Sequence, residues 1–321
     1  MMSLARILAA AALLLVAVPL SQAQELQSGK PIRLIVALSP GGGTDVTARL
    51  VAQKMSQSMG MNVLVENKTG GNFIPAGREV LTAPPDGHTL YFISTSSIIT
   101  QAMHSDYPFD ITKFTPVTEA ATGPLILVVR NDLGVKTLAE LLERIKKEPD
   151  TVKFGLGGGV GSSLGMATEL LKARTGAKIT TVPYRGAADA LNNLLGGHID
   201  AMFDAMPVMA VQAKEGKVTP LAVTGSKRSF LLPDVPTIQE TGIDFLINGW
   251  YGVLAPPNTP AAIVQKLRDE IAKAVADPAA IKSLADQGME PRGSQPADWA
   301  KYMEQEKAFY TNVIKDAGIA K

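Results

Sequence analysis

Ile32-Arg33-Leu34-Ile35-Val36-Ala37-Leu38 followed by Ser39-Pro40-Gly41-Gly42-Gly43-Thr44-Asp45 is a short β-branched and apolar run broken by a glycine-rich turn. The run has the length and composition of a buried strand, and the turn residues end it. A helix follows, because Ala48, Val51, Ala52, Met55 and Met59 recur at helical spacing with Arg49, Gln53 and Gln57 opposite, until Gly60 stops it. Strand, glycine turn and helix in that order are one half of a βαβ unit.

The same alternation extends outward from this stretch. Asn62 to Glu66 and Thr89 to Ser94 read as strands, the latter opening into Ser94-Thr95-Ser96-Ser97. Leu125 to Arg130 is strand-like, and Thr137-Leu-Ala-Glu140 is a capping box ahead of Leu141, Leu142 and Ile145. Lys153 to Leu156 runs into Gly157 to Gly161, and a helix continues through Met166, Leu170 and Leu171 to Gly176. Further strands are expected at Ile179 to Val182, Ile199 to Phe203, Val218 to Val223 and Trp250 to Leu254. A helix around Leu191, Leu194 and Leu195 ends at Gly196-Gly197, another starts at Thr259-Pro260, and a last one runs from Trp299 to Gly318. The pattern predicts an α/β fold with a largely parallel sheet.

At 321 residues and 33.9 kDa the chain exceeds what one core usually organises, so two lobes are expected. With no internal repeat or low-complexity linker, the lobes should share crossings, at Leu125 to Arg130 going out and Ile247 to Leu254 coming back. This makes residues 24–127 plus 250–321 a discontinuous first lobe and 128–249 the second. Two crossings form a hinge.

Composition narrows the function. Lys plus Arg is 31 against 30 for Asp plus Glu, with no basic run, which argues against nucleic acid as a partner. The absence of cysteine excludes disulfides, thiolate metal sites and cysteine nucleophiles. Three isolated histidines, His88, His104 and His198, have no metal-ligand spacing, so neither a metal nor another cofactor is expected. At the start, Arg6 precedes an uncharged run from Ile7 to Leu20 and then Ser21-Gln22-Ala23, the form of a secretory signal peptide over residues 1–23. Its apolar part, about fourteen residues at roughly 1.5 Å each, reaches about 21 Å, short of a hydrocarbon core of roughly 30 Å. An exported, periplasmic product beginning near Gln24 is expected, with its charges balanced at 30 each once Arg6 is removed.

Two glycine-rich strand-to-helix turns carry the chemistry. In the first, Gly42, Gly43 and Thr44 can aim backbone N–H groups at an anion where a helix begins, while Asp45 suits the first helical turn with or without a ligand. A nucleotide is disfavoured, since Val46 stands where G-x-G-x-x-G needs its last glycine. The second turn, Gly157 to Gly161 with Ser162 and Ser163, lies in the other half of the chain. Facing one cleft, the two would clamp a carboxylate with N–H and hydroxyl donors from Thr44, Ser96, Ser162 and Ser163, although each hydroxyl alone also reads as a helix cap. Tyr184, Gly186 and Asp204 sit at strand ends of the second lobe, where open α/β sheets bind ligands, and Asp204 would select a second polar group on the ligand. Gly161-Ser162-Ser163-Leu164-Gly165 also matches the nucleophile elbow G-x-S-x-G, so an exported serine hydrolase using Ser163 is the competing enzyme class; only His198 follows it as a base.

The chain resembles the periplasmic solute receptors of tripartite tricarboxylate transporters, the Bug family. The resemblance rests on Lys30 to Val36, Pro40 to Asp45, Val65-Glu66-Asn67, Pro84 to Gly87, Val182 to Gly186, Leu195 to Gly197, Phe203-Asp204 and Leu232 to Pro236. It implies a type II periplasmic binding fold whose two α/β lobes, joined by two hinge crossings, close on a small organic carboxylate without performing chemistry. It further implies integral membrane transporter subunits as partners, with a receptor feeding a sensor as the alternative role. A receptor presenting one face to a permease is most simply a monomer. Leu164 departs from the family pattern, which often has histidine there.

Overall fold

The computed structural model describes residues 26–320, so the expected signal peptide lies outside the described residues. The first lobe opens with β1 (Ile32–Val36), α1 (Gly43–Met59), β2 (Val63–Asn67), α2 (Ile74–Leu81), β3 (Thr89–Ser94) and α3 (Thr95–Met103). β4 (Thr115–Arg130) leads into α4 (Leu138–Lys147), β5 (Lys153–Gly157), α5 (Ser163–Thr175), β6 (Thr180–Tyr184), α6 (Ala187–Leu195), β7 (Ala201–Ala205), α7 (Met206–Lys214) and β8 (Val218–Val223). β9 (Asn248–Ala255), α8 (Ala261–Ala276), α9 (Pro278–Asp286), β10 (Glu290–Pro291) and α10 (Pro296–Ala317) complete the chain.

The local signals explain most of these elements. α1 buries Ala48, Val51, Ala52 and Met55 and ends at Gly60, whose φ of 64° lets its N–H reach Ser56 O. Thr137 caps α4 by accepting from Glu140 N at 3.1 Å. Two helices had weak signals: α2 hides behind Phe73-Ile74-Pro75, and α3 is the hydroxyl-rich Thr95-Ser96-Ser97, a composition that favours turns until Ile98, Ile99 and Met103 are buried.

The expectation of a largely parallel sheet is corrected. Strand order is β2-β1-β3-β9-β4-β7-β5-β6, with β8 and β10 also on β4. β1 is parallel to β2 and β3, and β5 to β6 and β7, but every pairing of β4 and β9 is antiparallel. Each lobe is wound from parallel βαβ units, and the strands running between lobes enter against that direction. β4 is also much longer than its apolar signature at Leu125 to Arg130. Its first part, with Pro116, Gly123 and Pro124, has poor strand propensity and two irregularities in register, yet it pairs with β9 from Thr115↔Ala255 to Pro124↔Asn248. From Leu125 onward its partners are β7 and β8.

Apolar contacts follow the same division. Leu34, Val36, Phe92 and Val253 meet α1 and α8 through Val51, Met55, Leu267 and Ile271 in the first lobe. Ile126, Val128, Met202 and Val223 meet Leu194, Met206 and Met209 in the second. A third cluster joins the lobes, with Trp299, Met303, Tyr310 and Ile314 of α10 beside both Ile98 and Leu170. The C-terminal helix therefore lies across α3 and α5.

Candidate functional site

Between the lobes lies a cavity of about 300 Å³. Leu38, Thr44, Ser94, Thr95, Ser96, Tyr251, Gln287 and Met289 line it from one side and Ser163, Leu164, Ala187, Asp204, Ala205 and Met206 from the other, with Gly123 to Leu125, Gly249 and Trp250 of the crossing strands between them. Among the described residues, five helices begin at this wall: α1 with Thr44, α3 with Thr95, α5 with Ser163, α6 with Ala187 and α7 with Met206. Each start presents unpaired N–H groups and about half a positive charge. No Lys, Arg or His lines the cavity. What this wall offers an anion is peptide dipoles and hydroxyls, with no cationic side chain.

Local structure sets up each start. At α1, Gly41 takes a φ of +84°, and Asp45 fastens the turn by accepting from Gly41 N at 2.9 Å, Asn67 Nδ2 at 2.9 Å and Arg49 Nε at 2.9 Å. Burial pushes the Asp45 carboxyl up, but these donors hold it below the usual carboxylate range. A Cβ on Gly43 would run into the Tyr251 hydroxyl, so this glycine lets the aromatic ring come down onto the turn. At α5, Ser162 Oγ accepts from Gly165 N at 3.0 Å and contacts Gly157 O and Gly159 O at 2.8 Å. At α3, Thr95 Oγ1 accepts from Trp250 N at 2.9 Å, pinning the helix to β9. The Ser94 Oγ on this wall is buried without a hydrogen-bond partner.

Of the residues selected from sequence, Thr44, Ser96, Ser163 and Asp204 come together on this wall. Gly42 is the N-cap of α1, two residues before the lining Thr44, and Gly186 is that of α6, one residue before the lining Ala187. Gly43 acts through Tyr251, while Asp45 and Ser162 hold the turns from behind. Tyr184 does not line the cavity; it packs with the apolar cluster of the second lobe. Trp250, Tyr251, Gln287 and Met289 went unselected. The first two stand on β9, where Gly249 signals a crossing, but nothing local announces that Gln287 and Met289 fold back to the cavity.

Asp204 is 3% exposed, and its carboxylate takes one donor, Ala205 N to Oδ1 at 2.7 Å. Burial pushes its pKa up to about 6, with the Ala205 amide opposing. Burial also pushes the Tyr251 phenol up, against a lowering influence from the Thr44 side chain. The nucleophile-elbow reading of Ser163 finds no base. His88 contacts Pro31 O and accepts from Gln27 N, His104 contacts Thr100 O, His198 lies beside Gly196, and none lines the cavity.

Two α/β lobes spanned by antiparallel crossing strands, with one cation-free cavity between them, define a periplasmic binding protein. Residues 47–319 match the profile of the tripartite tricarboxylate transporter family receptor, and the chain belongs to that family. Protein BugT of Bordetella pertussis is 31% identical over 293 residues, 90% of this chain and 90% of BugT. Rpa4515 of R. palustris, solved with adipate, superposes with a TM-score of 0.77 at 32% identity over 92% of this chain and 99% of that one. MatC from Rhodopseudomonas palustris, with bound malate, gives a TM-score of 0.74 at 28% identity over 90% of this chain and 100% of that one. The family consists of solute receptors, and among the described residues no helix is long and apolar enough to cross a membrane.

Proposed function

We propose that this receptor is exported to the periplasm after cleavage near Ala23, captures a small organic carboxylate between its lobes, and delivers it to the integral membrane subunits of a tripartite tricarboxylate-type transporter. The observation that carries this reading is the convergence of five helix N-termini on one cavity lined by Thr44, Ser96 and Ser163 and free of Lys, Arg and His. Such ends hold an anion by N–H donation and dipole alignment. The adipate and malate bound by the R. palustris relatives are carboxylates of a size suited to this space. β4 and the segment entering β9 are the hinge about which the lobes, 24–127 with 250–321 and 128–249, close on the ligand. Closure is the form the membrane subunits recognise.

An affinity near 1 μM, about −8 kcal/mol, suffices for capture and fits a few charge-assisted hydrogen bonds. The test is a thermal-shift screen of the mature protein against mono-, di- and aromatic carboxylates. Ligand at a hundred times its Kd should stabilise the fold by about 2.7 kcal/mol, raising Tm by several degrees. Thr44→Val and Ser163→Ala should each weaken the best ligand by about tenfold, one hydrogen bond to a charged group. A screen without a hit, or both variants binding as the parent does, removes the assignment.

A further inference from the structure

The cavity wall that carries five positive helix ends also carries a carboxylate of its own. Asp204 stands at the end of β7, buried, with Ala205 N as the one protein donor to its side chain. A ligand carboxylate must enter the same cation-free space. The ligand carboxylate and Asp204 then share the same helix ends and repel each other across the cavity.

We propose that ligand capture places a solvent proton on Asp204, so that the complex holds an anionic ligand beside a neutral Asp204 whose carboxyl hydrogen is donated to an acceptor oxygen of that ligand. This rests on the carboxylate reading above and deepens it. The ligand must then present an acceptor at Asp204, as the second carboxylate of a dicarboxylate does. An amino acid or betaine turning an ammonium toward Asp204 would instead need the ionised form.

Geometry supports the proton going to this residue. An anion about 6 Å from Asp204, at an effective dielectric constant of about 20, favours the protonated form by roughly a hundredfold. No charged side chain stands near enough in the wall to cancel that repulsion. β4 offers Leu125, α5 Ser163 and Leu164, α6 Ala187, and the first lobe Thr44, Ser94, Thr95, Ser96, Tyr251 and Gln287. Tyr251, the other ionisable group there, is pushed upward by burial and stays neutral between pH 5 and 8. Even before a ligand arrives, burial has brought Asp204 to about 6, within reach of neutral pH. One other cluster titrates nearby. Glu306 accepts from Trp250 Nε1 at 2.8 Å behind the wall, and Glu119, near Glu306 and Arg292, is pushed by burial to about 7. It needs its own control.

Calorimetric titration of the mature protein with adipate, malate and benzoate, at pH 6.5 in PIPES and in imidazole and at pH 8 in HEPES and in Tris, tests the idea. Different buffer ionisation enthalpies reveal the protons taken up. Carboxylates of this kind are almost fully ionised from about pH 6.5 upward, so their own titration does not intrude. For the wild type we expect about fivefold weaker binding per pH unit between 6 and 8 and uptake of about half a proton at pH 8. Asp204→Asn, which keeps the shape and cannot lose a proton, should bind equally at both pH values without uptake, and more tightly than the wild type at pH 8. Glu119→Gln should keep the full wild-type linkage. Binding by the wild type with no uptake and no pH dependence, or tighter binding at pH 8, overturns the proposal and leaves the receptor reading intact. Linkage lost in Glu119→Gln but kept in Asp204→Asn also overturns it. If no probe binds at any pH, the receptor reading falls and this proposal with it.

Discussion

Gly43 and Tyr251 show how a single residue shapes the cavity. The glycine N–H is one of the open donors of α1, and its missing side chain is the space the Tyr251 hydroxyl occupies. Gly43→Ala should therefore displace the tyrosine, weaken carboxylate binding and destabilise the fold by about 1–3 kcal/mol, the usual cost of overpacking. In Tyr251→Phe the conflicting atom is gone, and the nearest ring carbon would stand 3.5 Å from the new Cβ, an ordinary contact. The double substitution should recover most of the stability in urea unfolding; if it remains as unstable as Gly43→Ala, the hydroxyl is not the obstacle. The glycine was legible in the sequence because three in a row between strand and helix demand a backbone purpose. Its partner was not, since Tyr251 lies more than two hundred residues away and only folding brings the two together.

Among the elements, the two crossing strands are stitched by a side chain that no motif contains. Thr224, fully buried just past β8, accepts from Leu125 N at 2.8 Å and donates to Ile247 O at 2.5 Å. Its own N–H goes to Leu125 O at 2.9 Å. One hydroxyl thus serves both crossings where the sheet passes from one lobe to the other. Thr224→Val keeps the volume but strands a buried N–H and a buried C=O, at a cost of about 1–3 kcal/mol. The expected result is a lower urea midpoint together with faster amide exchange at Leu125; unchanged exchange there would show that the stitch carries no load. The hydrophobic signature at Leu125 to Arg130 announced the outward crossing but not that β4 begins at Thr115. A stretch with two prolines and a glycine has little strand propensity, and it is extended because β9 lies beside it.

At the scale of the molecule, Glu119 links pH to stability. It sits in the irregular part of β4 beside Thr122, Arg292, Tyr302 and Asn248, close to the hinge. Burial raises it from 4.5 to about 7, against the pull of Arg292. A raised acid favours the fold while protonated, so its contribution is complete below pH 4.5 and is lost as pH climbs to about 7, some 3 kcal/mol at most. Glu119→Gln should therefore match the wild type near pH 4.5 and be more stable by about 2–3 kcal/mol at pH 8, as followed by denaturant unfolding at the two pH values. A difference of the opposite sign would place Glu119 in an ion pair with Arg292 strong enough to outweigh desolvation.

The sequence by itself determined the α/β class, the two glycine turns and the family, because strand and helix periods, turn glycines and helix stops act over a few residues and leave local marks. It also pointed to Thr44, Ser96 and Ser163, in the first turns of helices that follow strands, and to Asp204 near the end of β7, the side of an open sheet where ligands bind. Tertiary structure alone decided that the crossing strands run antiparallel, that α10 spans both lobes, and that Trp250, Tyr251 and Met289 share a wall with residues far away in the chain. It decided too that Asp204 is buried without a cation. Burial, register and the meeting of charges are sums over contacts distant in sequence, and a local pattern holds no record of them.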